Sequence, residues 1–291
     1  MSLPQSCPYC RTKDIRKYGF RKTLLRSKIQ RYKCCYCLRT FCEDKGFRWK
    51  NKSEDTVILC IDLYSKGLTI REVADTLELS KNTVLAWLSY YSVKLSRYLL
   101  KKPKLSLRIH LDELFLKMKD TFFYVWDSIC SESRFIVMFL SCTRKKLDAN
   151  LLLDLSPATL NITTDGAFAY LRPIEGKYGR DWTKDHYQRC KDFEDKKNNN
   201  LIERFQNTLR RWLHPKRGFK SLKTGNIMLN FFAVFYNFVR IHTALKCSPA
   251  EKAGLISFPG SLKRNKQRWR HLIDSIFVIL LFINRKLGQS H

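Results

Sequence analysis

Acidic residues are scarce in this 291-residue chain: 26 Asp and Glu stand against 55 Lys and Arg, a formal net charge of +29. Solubility does not require so large an imbalance, and it points to a polyanionic partner, nucleic acid before an acidic protein or a membrane surface. RNA-binding proteins share such a charge, so it does not choose DNA by itself. The first 50 residues carry 14 basic against 3 acidic side chains. Long apolar runs are also missing. The stretch 276–283 is eight residues and too short to span a bilayer as a helix. No signal segment is read at the start, where MSLPQSCPYCRTK passes straight into a Cys pair, so the expected location is the cytoplasm, with no membrane association. The 11 cysteines, odd in number and closely paired, suit metal ligation in a reducing compartment better than a disulfide framework. The length allows one core of about 150 residues plus small modules.

Cys7 and Cys10 form one C-x-x-C pair, and Cys34 and Cys37 form a second after a spacer of 23 residues. Four thiolates at that spacing suit tetrahedral Zn²⁺ and exclude Mg²⁺, which prefers hard oxygen ligands. The spacer has the content of short strands, so 1–48 is expected to be a zinc ribbon. Cys35 and Cys42 are left over, and an alternative ligand set stays open. From 53 the pattern turns helical, with Val57, Ile58, Ile61, Leu63 and Tyr64 apolar before Gly67. Thr69 and Glu72 form a T-x-x-E capping box before a short helix with Val73, Ala74 and Leu77. Ser80 can cap another that carries Val84, Trp87 and Leu88. Short helix, tight turn and second helix make a helix-turn-helix plan over 53–98, with Lys81, Asn82 and Thr83 as candidate DNA readers. A small linker bundle with Trp87 in its core is the alternative. The basic stretch 99–105, with Lys101, Lys102, Pro103 and Lys104, reads as a linker, lying along phosphates or solvated.

Beyond it the period is strand-like. The segment 105–111 leads into Asp112, 121–129 and 134–142 are aromatic and β-branched, and 159–164 leads to Asp165. Helical patterns occupy 145–155 and 199–212, the second with Ile202, Phe205 and Leu209 on one face. The expectation is an α/β core with carboxylates at strand ends and Glu203 on a helix. Such oxygen ligands suit two divalent ions, one activating a nucleophile and one stabilising a departing oxygen. Spacing alone does not single out these three acids. Glu113 alternates to the opposite strand face and reads as salt-bridged or solvated. His110, on the Asp112 face, reads as structural. Asp127 reads either as a support for the metal site or as a strand-end hydrogen-bonding group. Asp181, Asp185, Asp192, Glu194 and Asp195 rival Glu203 but sit in a polar stretch, where His186 reads as surface. Arg204, Arg210 and Arg211, extended by Lys216, Arg217, Lys220 and Lys223, offer counter-charge to phosphates. The aromatic segment 227–238 reads as core, and the tail 256–291 as a basic stretch followed by one apolar helix, buried or a dimer contact.

The phrases RIHLDELFLKMKDTFFYVWD, NITTDGAFAY and NNNLIERF, then YNFVRIHTALKCSPAEKAGL, resemble in order and spacing the catalytic core of DDE transposases of insertion sequences. That ribonuclease H-like family includes retroviral integrases. The resemblance implies, over 106–255, a ribonuclease H-like mixed sheet with flanking helices, preceded by the ribbon and the helix-turn-helix. It places the acidic trio at Asp112, Asp165 and Glu203, holding Mg²⁺ or Mn²⁺, and a DNA-meeting basic residue at Arg210. Arg240 and His242 fall in the terminal motif, His242 near the active centre. The implied activity is binding of inverted-repeat ends in double-stranded DNA, strand cleavage, and joining of the 3′-hydroxyl to target DNA. A homodimer or larger assembly is expected, with Zn²⁺ structural. A metal-dependent nuclease and a catalytically silent DNA-binding regulator derived from a transposase are the alternatives.

Overall fold

The computed structural model describes residues 6–7, 9–21, 28–42, 52–118, 121–165, 168–190, 199–216, 221–260 and 262–286, with side chains except at 117, 118, 121, 168 and 276–286. The chain forms two compact units, Met1–Leu59 with Trp269–His291, and Cys60–Arg268. Among the described residues no helix is long and apolar enough to cross a membrane.

In the first unit β1 (Ile15–Arg21), β2 (Ile29–Cys34) and β3 (Thr40–Cys42) pair antiparallel in that order. The buried core of this small sheet is Cys7, Tyr32, Cys34 and Phe41, edged by Cys10, Ile15 and Cys37. Ordering backbone costs about 1 kcal/mol or more per residue, which four buried side chains do not offset. Among the described residues the cysteines offer the cross-link on which so small a sheet commonly relies. The unit also takes in the start of α1 (Glu54–Ser65) and α10 (Asn265–Lys286) from Trp269 onward, and Arg270 pairs with Asp55 at 2.6 Å. The tail is helical, as its pattern implies, but the side chains of 276–283 lie outside the described residues.

The second unit opens with α2 (Ile70–Thr76) and α3 (Lys81–Leu99). Glu72 N donates to Thr69 Oγ1 at 3.2 Å while Thr69 N donates to Glu72 at 2.7 Å, and Thr83 N donates to Ser80 Oγ at 3.0 Å. Both helices begin where their capping side chains put them. α3 buries Val84, Trp87, Leu88, Tyr91, Leu95 and Tyr98. It lies along α8 (Leu222–Val234), where Ser92 Oγ donates to Ile227 O at 3.4 Å. The sequence sets 53–98 apart as a module of its own; in the fold α2 and α3 belong to the unit Cys60–Arg268, and α3 carries an apolar face along its length.

In the stretch 99–105, Lys101 and Lys104 are exposed, while Lys102 and Pro103 are held against the neighbouring structure. Lys102 Nζ donates to Asp154 O (2.8 Å) and Ser156 O (2.9 Å), Pro103 is buried, and β4 (Leu105–Ser106) pairs parallel with β8 (Ala158–Thr159). Carbonyls at the C-terminus of α4 (Lys146–Leu155) attract the ammonium.

The central sheet runs β10-β9-β5-β6-β7. β5 (Ile109–Met118), β6 (Thr121–Cys130) and β7 (Ile136–Ser141) are antiparallel, while β9 (Ile162–Thr164) runs parallel to β5, and β10 (Tyr187–Arg189) parallel to β9. Glu113 and Trp126 are cross-strand partners on one face, where Tyr170 meets both of them. The preceding pair, Asp112 and Asp127, faces α7 (Asn200–Leu213), since alternate residues point to opposite faces. The architecture is thus a mixed α/β sheet flanked by helices. The polar stretch 176–197 proves structured as far as 190, holding the end of α5 (Leu171–Tyr178), α6 (Arg180–His186) and β10. After α8, a π-helical turn (Phe235–Val239) presents Asn237, whose side chain exchanges two bonds with the Ile136 backbone, at 2.8 and 2.9 Å. β7 is an edge strand at this sheet, and the amide partners it where no further strand does. The chain then turns through α9 (Pro249–Lys252).

Candidate active site

Parallel pairing of β5 and β9 matches Leu111 with Thr164, so Asp112 and Asp165 are the next residues along the two adjacent strands. Glu203 lies in the first turn of α7, which packs across β5. The electrostatics agree with this placement. Burial first, then the charges of Asp165, Glu113 and Glu203, push the Asp112 carboxyl up to about 7, against a lowering bond from the Glu113 amide. That amide, 2.8 Å away, is the hydrogen-bond donor to Asp112, and no cation pairs with it among the described residues. The fold therefore brings together all three acids expected from the sequence, although their oxygens are not drawn into a tight cluster. Among the described residues, the group of ligand-type side chains with donor atoms all within 4.8 Å is the set of four cysteines.

Around the acids the neighbours have distinct tasks. Glu113 is held on the opposite face by Arg144 and by Tyr170 Oη, which donates at 2.6 Å. The salt-bridged reading of Glu113 matches this. Asp127 is fully buried and accepts from Gln206 Nε2 at 3.3 Å; burial, then Asp112, holds its carboxyl well above the usual range. Among the described residues its other oxygen has no partner. His110 is buried, with Nδ1 3.0 Å from Asn199 Oδ1, which ties β5 to the start of α7. Sequence reasoning did not find the partnerships of Asp127 with Gln206 or Glu113 with Tyr170, because both join residues far apart in the chain.

Arg204, Arg210 and Arg211 are exposed along α7, and Lys223 is exposed on α8. Lys216, expected beside them as a phosphate cation, is turned inward. Its Nζ donates to Gly67 O (2.7 Å) and Trp212 O (3.2 Å) and stands 4.0 Å from the Trp212 ring centroid. Burial lowers its pKa to about 7. Two main-chain carbonyls left by the ends of helices take up this amine, so it is not free for DNA. Arg217, Lys220, Asp192, Glu194 and Asp195 lie outside the described residues. Asp181 and Asp185 are exposed, Asp181 pairing with Lys184. His186 stacks on Trp182 at 4.9 Å. Lys81 and Asn82 are exposed at the start of α3, and Thr83 is half-buried.

In the small sheet Cys7 Sγ lies 3.6 Å from Cys37 Sγ, and Cys10 Sγ 3.4 Å from Cys34 Sγ. Tyr9 N donates to Cys7 Sγ at 3.4 Å and Cys37 N to Cys34 Sγ at 3.3 Å. Burial raises the Cys7 thiol, but the amides of Cys10 and Tyr9 and the neighbouring thiols outweigh it and bring it down to about 7. Four soft donors fed by amides are compatible with a structural zinc site held by Cys7, Cys10, Cys34 and Cys37. Cys35 and Cys42 fall outside the group.

Residues 106–242 match a family model described as a DDE domain. The matched segment carries all three acids. No curated protein matches the chain. Solved structures to which it is similar include the HTLV-2 integrase catalytic core domain in complex with magnesium, in a trimeric form. There the identity is 14%, with 52% of this chain and 97% of that chain covered, at a TM-score of 0.38. The dimeric form of that domain is similar at 13% identity, covering 52% and 96%, with a TM-score of 0.36. A chain of the simian T-cell lymphotropic virus intasome in complex with PP2A regulatory subunit B56 gamma is similar at 12% identity, covering 69% and 76%, with a TM-score of 0.38.

Proposed function

We propose that the protein is an insertion-sequence transposase that binds the ends of its element, cuts one DNA strand and joins the freed 3′-hydroxyl to target DNA. The observation that carries this reading is Asp112, half-buried beside Asp165 and Glu203 with no cation paired to it among the described residues, within a DDE-type domain. Like charges brought together and partly withdrawn from water are costly unless neutralised, and hard oxygen donors fit Mg²⁺ or Mn²⁺. When bound by Asp112, Asp165 and Glu203, the ions supply charge neutralisation and a more acidic nucleophile. Cleavage forms a bond from water oxygen to phosphorus and breaks the bond to the 3′-oxygen. Joining forms a bond from that 3′-oxygen to a target phosphorus and releases the target's own 3′-oxygen.

Arg204, Arg210 and Arg211 hold flanking phosphates beside Glu203, and Arg217 continues this run. The ribbon and the α2–α3 pair, with Lys81, Asn82 and Thr83 leading α3, act as a helix-turn-helix that engages the terminal inverted repeats. Two ends have to be held together, so the working form is a dimer or larger. The reaction takes place on cytoplasmic DNA.

The test is strand transfer of a labelled, 3′-exposed element end into plasmid DNA with Mg²⁺ or Mn²⁺, comparing the intact protein with Asp165→Ala. Joined product with the intact protein alone is expected. Cleavage without joining would move the assignment to a nuclease, and end binding without either reaction to a DNA-binding regulator.

A further inference from the structure

In the same unit as the carboxylates, one residue past Glu203, Arg204 lines a concavity of about 430 Å³. Its cationic wall is Arg134, Arg204 and Arg240, and its floor includes Ile129, Phe205 and Tyr236. Among the described residues no acidic side chain lines it. Among the described residues none of the three guanidinium groups has an ion pair; the ion pairs of this unit are formed by Lys66, Arg144, Lys177, Lys184 and Arg268. Three cations facing one hollow without counter-charge attract an anion, and the planar guanidinium matches phosphate oxygens in pairs.

The backbone adds an independent observation. Arg134 sits at φ 60°, in the left-handed region, inside the turn closed by Arg134 N on Cys130 O (3.0 Å) and Cys130 N on Phe135 O (2.9 Å). Glycine or asparagine adopts that conformation at lower cost, yet the position carries a long cation that reaches the pocket. Opposite it, His242 Nε2 is 3.1 Å from Tyr236 Oη. Burial, then Arg240 and Arg134, hold His242 below its ordinary value, so the wall's positive charge belongs to the arginines.

We propose that this pocket binds a nucleotide phosphate against Arg134, Arg204 and Arg240, with its sugar or base over Ile129, Phe205 and Tyr236. The volume suits a small ligand unit. The phosphate comes from a DNA strand passing the carboxylates or from a free mononucleotide. The first source rests on the function proposed above.

Two titrations on the full chain separate these sources: fluorescence anisotropy with a labelled DNA duplex across a salt series, and thermal shift with AMP. The variant is Arg134→Asn with Arg240→Gln, Asn being suited to the left-handed position. Lys146→Gln, exposed on α4 and outside the pocket, controls for charge lost elsewhere. If the phosphate is a strand's, the double variant binds DNA about tenfold or more weakly at 0.1 M salt, and its salt slope falls by about one for each phosphate lost. Arg134→Lys with Arg240→Lys restores the slope, which a folding defect would not allow. If the ligand is a free nucleotide, AMP raises the melting temperature of the intact protein but not of the double variant, and DNA affinity is unchanged. DNA affinity, salt slope and AMP shift all matching the Lys146→Gln protein would overturn the proposal. Asp165→Ala retains binding in these titrations, so failure of the pocket and failure of the catalytic reading show themselves in different assays.

Discussion

Asp112 stands directly across the β5–β6 ladder from Asp127, with Glu113 beside it in the chain and Asp165 at the next strand. Burial and the charges of Asp165, Glu113 and Glu203 favour its neutral form, against the bond from the Glu113 amide. Asp112→Asn removes the buried charge while keeping the shape. Without added divalent cation it should melt no lower than the intact protein, and higher by about 2–4 °C per kcal/mol relieved. Joining should fall by about 10²-fold or more. Differential scanning fluorimetry and the joining assay check both halves; a variant that melts lower and still joins would contradict the assignment. At this scale, sequence alternation separated Asp112 from Glu113 correctly, because a strand sends neighbours to opposite faces regardless of tertiary context. It did not reveal that Lys216 turns inward, since a flexible four-carbon stem reaches water or carbonyl with equal ease.

Elements bounded by capping side chains were the easiest to read. Thr69 with Glu72, and Ser80, mark the starts of α2 and α3 in sequence and in structure. The short elements α6 and β10 were not legible, having too few residues to show a period. Nor was the break of 105–111 into β4 and β5, which depends on β8 arriving from fifty residues away. Among these elements the small N-terminal sheet depends most on its cross-link. One Zn²⁺ per chain is expected by elemental analysis. Its removal by a chelator should abolish amide protection of β1–β3 in hydrogen exchange, with Cys34→Ser doing the same and Cys35→Ser having no effect. Loss of zinc in the Cys35→Ser protein would show the ligand set to be wrong.

The end of α7 offers a pH test. The unfolded chain holds the Lys216 proton up to its ordinary value near 10.5, and the folded chain releases it at about 7. Between these values the unfolded state binds more protons, so stability rises with pH. Relative to Lys216→Met, the intact protein should gain about 1–2 kcal/mol between pH 7 and 9, after discounting for partial exposure. Paired denaturant melts check this, and a difference that stays flat or narrows would refute it.

For the molecule as a whole, the +29 charge pointed to a polyanionic partner, and the ordered acidic phrases to metal-assisted chemistry on DNA with a nuclease and a silent regulator as alternatives, before any contact was known. Domain boundaries were less legible, because sequence pattern marks helices but not which surface they cover. Here the helical segment from residue 60 joins the sheet unit, placing α3 in the same body as the carboxylates.

The central claim is that these carboxylates carry the phosphoryl transfer by holding divalent ions. Joining by Asp165→Cys, compared in Mg²⁺ and in the more thiophilic Mn²⁺, tests it most directly, since sulfur is a poor ligand for the harder ion. The account predicts almost no joined product in Mg²⁺ and recovery in Mn²⁺. Joining in Mg²⁺ at the rate of the intact protein would contradict it.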